Sequence, residues 1–513
     1  LSFKQIFSGS VWGILAKILD AFAKFFTIPL LVGHYGKLDY ALIALAFSLN
    51  AYLRLMDMGM NIGAIRFFSI WLSSNELDKV TRAFRTNLVF YSAIGIINAF
   101  AFLVLSKYPG LMFDIDNDQK NIYSWIMYIL AISTILNWLS SVVNQLLNAY
   151  GEVAWIHKLT ILTSFLAVLS AFTAIHFELS LPVYFLLYTI SYLIVIPINI
   201  YRLKLLKVKV SKLLIPGWDS VLFKQILNYS LAIFAMGVFQ FTANNLRPLL
   251  LAKFASNGLE VLTDYRVLQT LTALIIAFGG VFMQVLLPSA SKMHAQEDKE
   301  GISKMVYNGT KYISSILAFI VFMMVANSKS ILYMYMGPEY LYLTNWLIVW
   351  LLTVLLSMHN TPIASLVLST GKTRFLVYSS AFSCIASLPV TMMLAGTLNV
   401  GAAIIGYAVY VMIQIGCYYF HYIPNILRLN STHIFFRSFM PSFLTGFIAC
   451  LATMAVDEYI LVSLAVKYKF VISSCLFSTL YLIFIIIFVL NKVELQMFKN
   501  KIIGRVFPPK ALA

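Results

Sequence analysis

Apolar runs of about 20 residues, each long enough to cross the hydrocarbon core of a bilayer as a helix, recur from one end of this chain to the other. Fourteen can be drawn: 9–33, 39–64, 83–106, 122–148, 152–177, 180–201, 225–252, 262–288, 305–327, 340–370, 373–396, 400–422, 438–461 and 468–490. Composition agrees, because 61% of the residues are hydrophobic and only 11% are charged, whereas soluble domains carry about 25% charged residues. The expected fold is an all-α polytopic membrane protein with about 14 transmembrane helices. The first run is full length, holds three charges and ends in no small-residue cleavage site, so a removable signal peptide is not expected.

A net charge of +17 would suit nucleic acid if it were clustered on a soluble face, so its position along the chain decides the matter. With the N-terminus placed in the cytoplasm and the sides alternating, the Lys and Arg surplus falls on the inside segments. "YRLKLLKVKVSK" (201–212) is the clearest inside segment and "FDIDNDQK" (113–120) is an outside loop. The excess is topological, no nucleic-acid partner is expected, and both termini are read as cytoplasmic.

Catalytic and metal signatures are lacking. Cys384, Cys417, Cys450 and Cys475 lie singly in late helices, with no C-x-x-C spacing, and read as small buried residues. There is no H-E-x-x-H and no Rossmann glycine pattern, and "LVLSTGKT" (366–373) fails as a phosphate loop because Leu366 stands where the first glycine must be. The connections are too short for a soluble catalytic domain. The chain is therefore not expected to be an enzyme, and no metal or cofactor is expected beyond a coupling cation, H+ or Na+.

Internal similarity suggests two halves. "PLLVGHYG" (29–36) and "PLLLAKFA" (248–255) each close the first helix of a six-helix block, and "DYALIAL" (39–45) and "DYRVLQTL" (264–271) follow them. Because six is even, the halves keep one direction, as in a parallel repeat about an axis normal to the membrane. A chance recurrence of Pro-Leu-Leu at a helix end is the alternative. The organisation expected is a six-helix lobe at 1–201, a basic cytoplasmic linker at 202–224, a second six-helix lobe at 225–422, two additional helices at 423–491 and a basic cytoplasmic tail at 492–513.

Ionisable side chains within the spans carry the functional signal. At about 100° per residue, Lys17, Asp20 and Lys24 project from one face of the first helix. Arg54 and Asp57 follow three apart in the second span, and Arg247 stands just before Pro248. Each such charge costs about 3 kcal/mol on insertion scales, so it should face water or a partner. One reading makes Lys17–Asp20–Lys24 and Arg54–Asp57 self-neutralising ladders between helices. The other starts from the surplus, because Lys17, Lys24, Arg54 and Arg247 outnumber Asp20 and Asp57, and Arg66 and Arg266 near helix ends add to the excess. An uncompensated positive cavity calls for an anionic visitor, with the two acids orienting the bases and moderating the charge.

The opening segment, with P-L-L-x-x-x-Y-G at 29–36 and D-x-G-x-x-x-x-x-x-R-F at 57–67, resembles the polysaccharide-transport branch of the MOP superfamily. "DYRVLQTLTALIIAFGGVFMQVLLPSASK" (264–292) is similar to that family's eighth helix and its Leu-Pro-x-x-Ser exit. The resemblance covers nearly the full length and implies a Wzx-type flippase. Its substrate would be an undecaprenyl-pyrophosphate-linked oligosaccharide for O-antigen or related polysaccharide, moved between leaflets of the bacterial inner membrane by alternating access. It also implies membrane lipids and the polysaccharide polymerase machinery as partners. MurJ-type lipid II flippases use basic residues of the first, second and eighth helices around a central cavity, and Lys17, Lys24, Arg54 and Arg266 match them. Lys in place of Arg in the first helix, with Asp20 and Asp57 interleaved, favours an O-antigen or exopolysaccharide unit over lipid II.

Candidate sugar contacts are Asn144, Gln145, Asn148, Gln240, Asn244 and Gln269, each equally suited to interhelical hydrogen bonding. His359 is the candidate for proton coupling, although a lone membrane histidine more often serves packing. Tyr and Trp read as interface belts, with no sugar-stacking role assigned. Among rivals, a MATE-like ion-coupled exporter of organic cations would need surplus acid in its cavity. A membrane glycosyltransferase or ligase would need a large outside loop, and an anion channel would need no two-lobed design.

Overall fold

Hydrocarbon offers no partner for a backbone N–H or C=O, so a spanning segment must satisfy these groups within itself, and the helix does so locally. A computed structural model describes residues 3–370, 374–491 and 494, and among them no strand occurs. The tail expected at 492–513 lies outside the described residues except for Glu494, and so do Gly371, Lys372 and Thr373 of the rejected phosphate loop.

The helices run in order α1 (Phe3–Tyr35), α2 (Lys37–Leu53), α3 (Met60–Ser73), α4 (Leu77–Lys107), α5 (Lys120–Ala149), α6 (Val153–His176) and α7 (Leu181–Leu193). They continue as α8 (Val195–Leu205), α9 (Val210–Leu213), α10 (Ser220–Phe254), α11 (Val261–Ala295), α12 (Lys299–Ala326), α13 (Ser328–Met336), α14 (Thr344–Met358) and α15 (Thr361–Ser369). The last are α16 (Arg374–Leu398), α17 (Val400–Cys417), α18 (Ser431–His433), α19 (Met440–Tyr459) and α20 (Val466–Phe488). By length and apolar composition, the described residues hold 11 helices able to cross a membrane, or 12 if the bent pair Ser220–Ala235 and Gly237–Phe254 is one span. The expected fourteen are thus not all recovered on that measure. The first run is helical throughout as α1, but Lys17, Asp20 and Lys24 interrupt its apolar face.

Several expected spans are broken. The run 39–64 is not one helix: α2 ends at Leu53, a 3-10 turn covers Arg54–Asp57, and α3 restarts at Met60. The cause is local, since Met58 and Gly59 both take the left-handed conformation, with φ of 48° and 73°, which a continuing right-handed helix excludes. Arg54 and Asp57 share the 3-10 turn rather than an α-helix, and Arg66 belongs to a separate helix, α3. The run 340–370 also has a turn at His359 and Asn360, ahead of Pro362, between α14 and α15, but Pro338–Ser369 still counts as one crossing span.

Contacts divide the chain into two compact units. The first comprises Leu1–Ala277 with Thr373–Tyr410, and the second Phe278–Lys372 with Val411–Ala513. In the first, Phe68, Phe84, Tyr91, Val142, Leu146, Leu147 and Ile226 from α3, α4, α5 and α10 form a buried cluster. Membrane interiors gain little from hydrophobicity between helices and depend on close packing, which small residues permit. Gly13 of α1 lets α6 approach, because a Cβ there would lie 2.9 Å from His157 Nε2. Gly59 and Gly63 do the same for α10 at Ser230.

The second unit packs through aromatic rings. Phe322 of α12 lies edge to face with Phe443 of α19, their centroids 5.2 Å apart, and Gly446 leaves the space its ring occupies. Tyr481 of α20 donates to the Ser315 carbonyl at 2.6 Å, which ties α20 to α12. Lys311 of α12 pairs with Glu494 at 2.6 Å.

Gly59 combines a positive φ with a position 2.6 Å from the Ser230 carbonyl for any added Cβ. Gly59→Val should cost about 2 kcal/mol or more, by strain and clash together. The check is a lowered thermal midpoint of the detergent-solubilised protein, with Gly110→Ala, which meets open space, left unchanged.

Candidate functional site

The charged residues singled out from the sequence, from Lys17 to Arg266, all lie in the first unit. On α1 the stripe is only partly a ladder. Lys24 Nζ sits 2.6 Å from Asp20, with both side chains open to the surroundings at 59% and 29%. Asp20 also accepts from Ser164 of α6 at 3.2 Å. Lys17, one turn earlier on the same face and exposed, makes no ion pair among the described residues.

The Arg54–Asp57 ladder does not form. Asp57 accepts instead from the Tyr91 hydroxyl at 2.5 Å and from the Asn61 backbone N–H at 3.3 Å. Tyr91 is held in turn by Gln145 Nε2 at 2.8 Å, and the Gln145 carbonyl accepts from Asn87 at 3.2 Å. Asp57 is thereby the end of a buried polar chain through α4 and α5. Arg54 is exposed and carries no ion pair among the described residues.

The other three cations differ in environment. Arg66 is exposed and lies over the Tyr229 ring, 4.3 Å from its centroid, a cation–π arrangement. Arg266 donates to Gln269 at 2.7 Å, to Ser48 at 3.0 Å and to the Ala44 carbonyl at 3.3 Å, and its Nε has no partner. Arg247 is 2% exposed. It reaches Asn244 at 3.2 Å and Ser387 at 3.3 Å, and lies 5.4 Å from the Tyr407 ring and 5.7 Å from that of Tyr410. No carboxylate pairs with it among the described residues, so neutral dipoles and aromatic faces are its solvent.

The candidate sugar contacts are scattered. Gln145 is fully buried in the Asp57 chain. Asn144 accepts from Asn199 at 2.8 Å, Asn148 bonds back to the Asn144 carbonyl at 2.9 Å, and Gln269 is occupied by Arg266. Gln240 and Asn244 on α10 are exposed. His359 lies in the second unit with no exposed surface. Its Nδ1–H donates to the Leu356 carbonyl at 2.6 Å, and Nε2 lies 2.9 Å from the Tyr419 hydroxyl. Both ring nitrogens have partners, and the ring centroid is 4.3 Å from that of Phe439.

Two features escaped the sequence reading. Lys37, at the start of α2, pairs with Asp264 of α11 at 3.0 Å, and the Asp264 side chain is 1% exposed. Thr263 donates to the Lys37 carbonyl at 2.7 Å. The second feature is a column of rings on α7: Tyr184, Tyr188 and Tyr192 stand one turn apart, with Tyr188 and Tyr192 centroids 4.9 Å apart. A four-residue tyrosine period on an apolar helix is visible in the sequence, but its ring contacts with Tyr35 of α1 and Phe47 of α2 depend on packing.

Comparison with known proteins follows the same lines. The MatE family model matches residues 14–173, less than half of the chain. No curated protein matches it. The lipid II flippase MurJ in an inward closed conformation superposes with a TM-score of 0.71 at 12% identity, covering 95% of this chain and 99% of that one. An inward-facing multidrug resistance MATE family transporter of the MOP superfamily gives 0.64 at 12% identity, covering 85% and 95%. A MOP superfamily transporter from Pyrococcus furiosus, described as having a binding pocket of reverse polarity, gives 0.57 at 12% identity, covering 86% and 96%. The chain thus has the fold of MOP-type transporters and flippases and is a multi-span membrane protein.

Removing the Tyr91 hydroxyl leaves Asp57 short of its closest donor. Tyr91→Phe should destabilise by about 1–3 kcal/mol, and combining it with Gln145→Leu should cost less than the sum of the two, as expected for one network. Thermal unfolding of the four proteins in detergent checks this. At the second pair, Lys37→Met removes the ammonium from a buried carboxylate and should cost about 3–5 kcal/mol, with Asp264→Asn in the same chain restoring part of it; the same unfolding assay reads the difference.

Proposed function

We propose that the protein flips a polyprenyl-pyrophosphate-linked oligosaccharide, an O-antigen or related polysaccharide unit on undecaprenyl pyrophosphate, from the cytoplasmic to the periplasmic leaflet of a bacterial inner membrane. One observation carries the reading. Lys17, Arg54, Arg66, Arg247 and Arg266 make no ion pair among the described residues, while Asp20 is engaged by Lys24 and Asp57 by Tyr91. The acids that would cancel the positive charge are already committed, and the surplus remains for an anion.

The chemistry matches that surplus. A pyrophosphate carries about two negative charges and cannot enter hydrocarbon bare, so fixed ammonium and guanidinium donors must replace its water. Lys17 and Arg54 meet the headgroup in the inner half of the membrane, Lys24 and Arg66 are further open donors, and Arg266 and Arg247 hold the positive potential further out. The polyprenyl tail already has lipid as its solvent. Asp20 moderates Lys24, so that the ligand leaves again. Alternating access moves the site from one leaflet to the other, coupled to H+ or Na+ or drawn by consumption of the unit outside, where a polymerase would take it. Both termini are cytoplasmic in this reading.

The MurJ-like fold favours lipid II as the second reading, since its headgroup carries the same pyrophosphate. A MATE-like exporter of organic cations shares the fold but would face charge of the wrong sign.

Lys17→Gln and Arg54→Gln should each slow appearance of fluorescent undecaprenyl-pyrophosphate oligosaccharide in the outer leaflet of reconstituted vesicles by about tenfold or more. Lys79→Gln, a surface variant of the exposed pair with Glu76, should leave the rate unchanged. Normal flipping by folded Lys17 and Arg54 variants would remove the anion path from the proposal. Faster flipping of lipid II than of other units would select the second reading.

A further inference from the structure

Two polar rungs join α2 to α11. At the first, three residues at the start of the α11 segment hold a single one, Lys37. Its Nζ lies 3.0 Å from Asp264 and 3.5 Å from Glu260, and its carbonyl accepts from the Thr263 hydroxyl at 2.7 Å. At the second, Arg266 Nη2 donates to the Ser48 hydroxyl at 3.0 Å and to the Ala44 carbonyl at 3.3 Å. Ser48 donates in turn to that same carbonyl at 2.8 Å.

These rungs are more than a helix joint requires. Close packing of small and apolar residues is enough to hold membrane helices together, and α2 has it, with Tyr40 to Ala46 all buried. A buried ion pair contributes little net stability beyond such packing, and its best-attested use is to fix a register or to switch. The second rung is also one that an anion can take apart. A guanidinium grips two phosphate oxygens either through Nε and Nη2 or through Nη1 and Nη2. Arg266 Nε has no partner and Nη1 reaches only the neutral Gln269, but both Nη2 protons are committed to α2. Either bidentate mode therefore needs Nη2, and a phosphate oxygen is a stronger acceptor for it than a hydroxyl or a carbonyl.

We infer that the α2–α11 seam is a clasp released by the anion: bidentate binding of a phosphate at Arg266 draws Nη2 from Ser48 and Ala44 and leaves the seam held at the Lys37 rung. This rests on the flippase reading and deepens it, because it links capture of the headgroup to separation of two helices. In the two-halved organisation expected from the sequence, α2 and α11 are corresponding helices, and with cytoplasmic termini the Lys37 rung lies at the periplasmic end. Capture then loosens the side on which the lipid must leave. Lys37, Ser48 and Thr263 act through the seam and are positioning residues.

The test reads the distance between spin labels at His34→Cys and Lys253→Cys, exposed positions in the last turns of α1 and α10, the helices that lead into α2 and α11. The full-length protein is used in nanodiscs, with Cys384, Cys417, Cys450 and Cys475 replaced by Ala. The wild type should show a dominant short distance, and undecaprenyl pyrophosphate should add a longer one. Asp264→Asn, Thr263→Val and Arg266→Gln should each enlarge the long-distance fraction without ligand, and in Arg266→Gln the lipid should add nothing further. A residue that only binds ligand would leave the ligand-free distribution of Arg266→Gln as in the wild type. Ser48→Ala, which removes a competitor for Nη2, should bind undecaprenyl pyrophosphate about threefold more tightly. The inference is overturned if the three variants, with cooperative unfolding retained, keep the wild-type distribution, or if Ser48→Ala binds no more tightly. If the wild type does not bind undecaprenyl pyrophosphate at all, the flippase reading fails and takes the clasp with it. If it binds while the distances stay unmoved, that reading stands and the clasp alone falls.

Discussion

Hydrocarbon provides no partner for an unpaired polar group, and this constraint shapes every level of the protein. It makes the described chain helical, because only a helix closes its own backbone hydrogen bonds within one spanning segment. It also makes every buried side-chain polar group conspicuous. The Asp57–Tyr91–Gln145–Asn87 chain, the Lys37–Asp264 pair and the His359–Tyr419 contact are three answers to the same requirement. Close packing at Gly13, Gly59 and Gly63 gives the helices the cohesion that hydrophobicity supplies in water.

Against that background the cations divide by how they are solvated. Lys24 has a carboxylate, Arg66 an aromatic face, Arg266 neutral oxygens, and Arg247 a surround of hydroxyls and rings. Lys17 and Arg54 have no ion-pair partner among the described residues and stand exposed. In the function proposed above, a gradient from open to enclosed cations suits a headgroup that is captured and then released, since full neutralisation by the protein would leave no affinity and a wholly bare site would hold a pyrophosphate too tightly.

Part of this was legible beforehand. The spacing of Lys17, Asp20 and Lys24 shows that they share a face, and the Lys24–Asp20 contact follows from that spacing at once, because i and i+4 are neighbours on any α-helix. The break of the second span is equally local, since two left-handed residues, Met58 and Gly59, stop the helix just after Arg54 and Asp57. Asp57 then found Tyr91, 34 positions away, a partner no helical period points to. Gln145 reads in sequence as a polar group available to a ligand, but its environment is set by α4 and α5 packing against each other, and it is fully buried.

By itself the sequence determined the solvent of this protein and its helical class. Those follow from composition and from 3.6-residue periodicity, which are properties of the chain alone. Tertiary structure decided which charges are cancelled and which remain. It gave Asp57 the Tyr91 hydroxyl, closed Arg247 off, and gave Lys37 a carboxylate from α11. The physical reason is that solvation of a charge in a low-dielectric medium depends on contacts a few ångströms long, and those contacts join residues that the sequence keeps far apart.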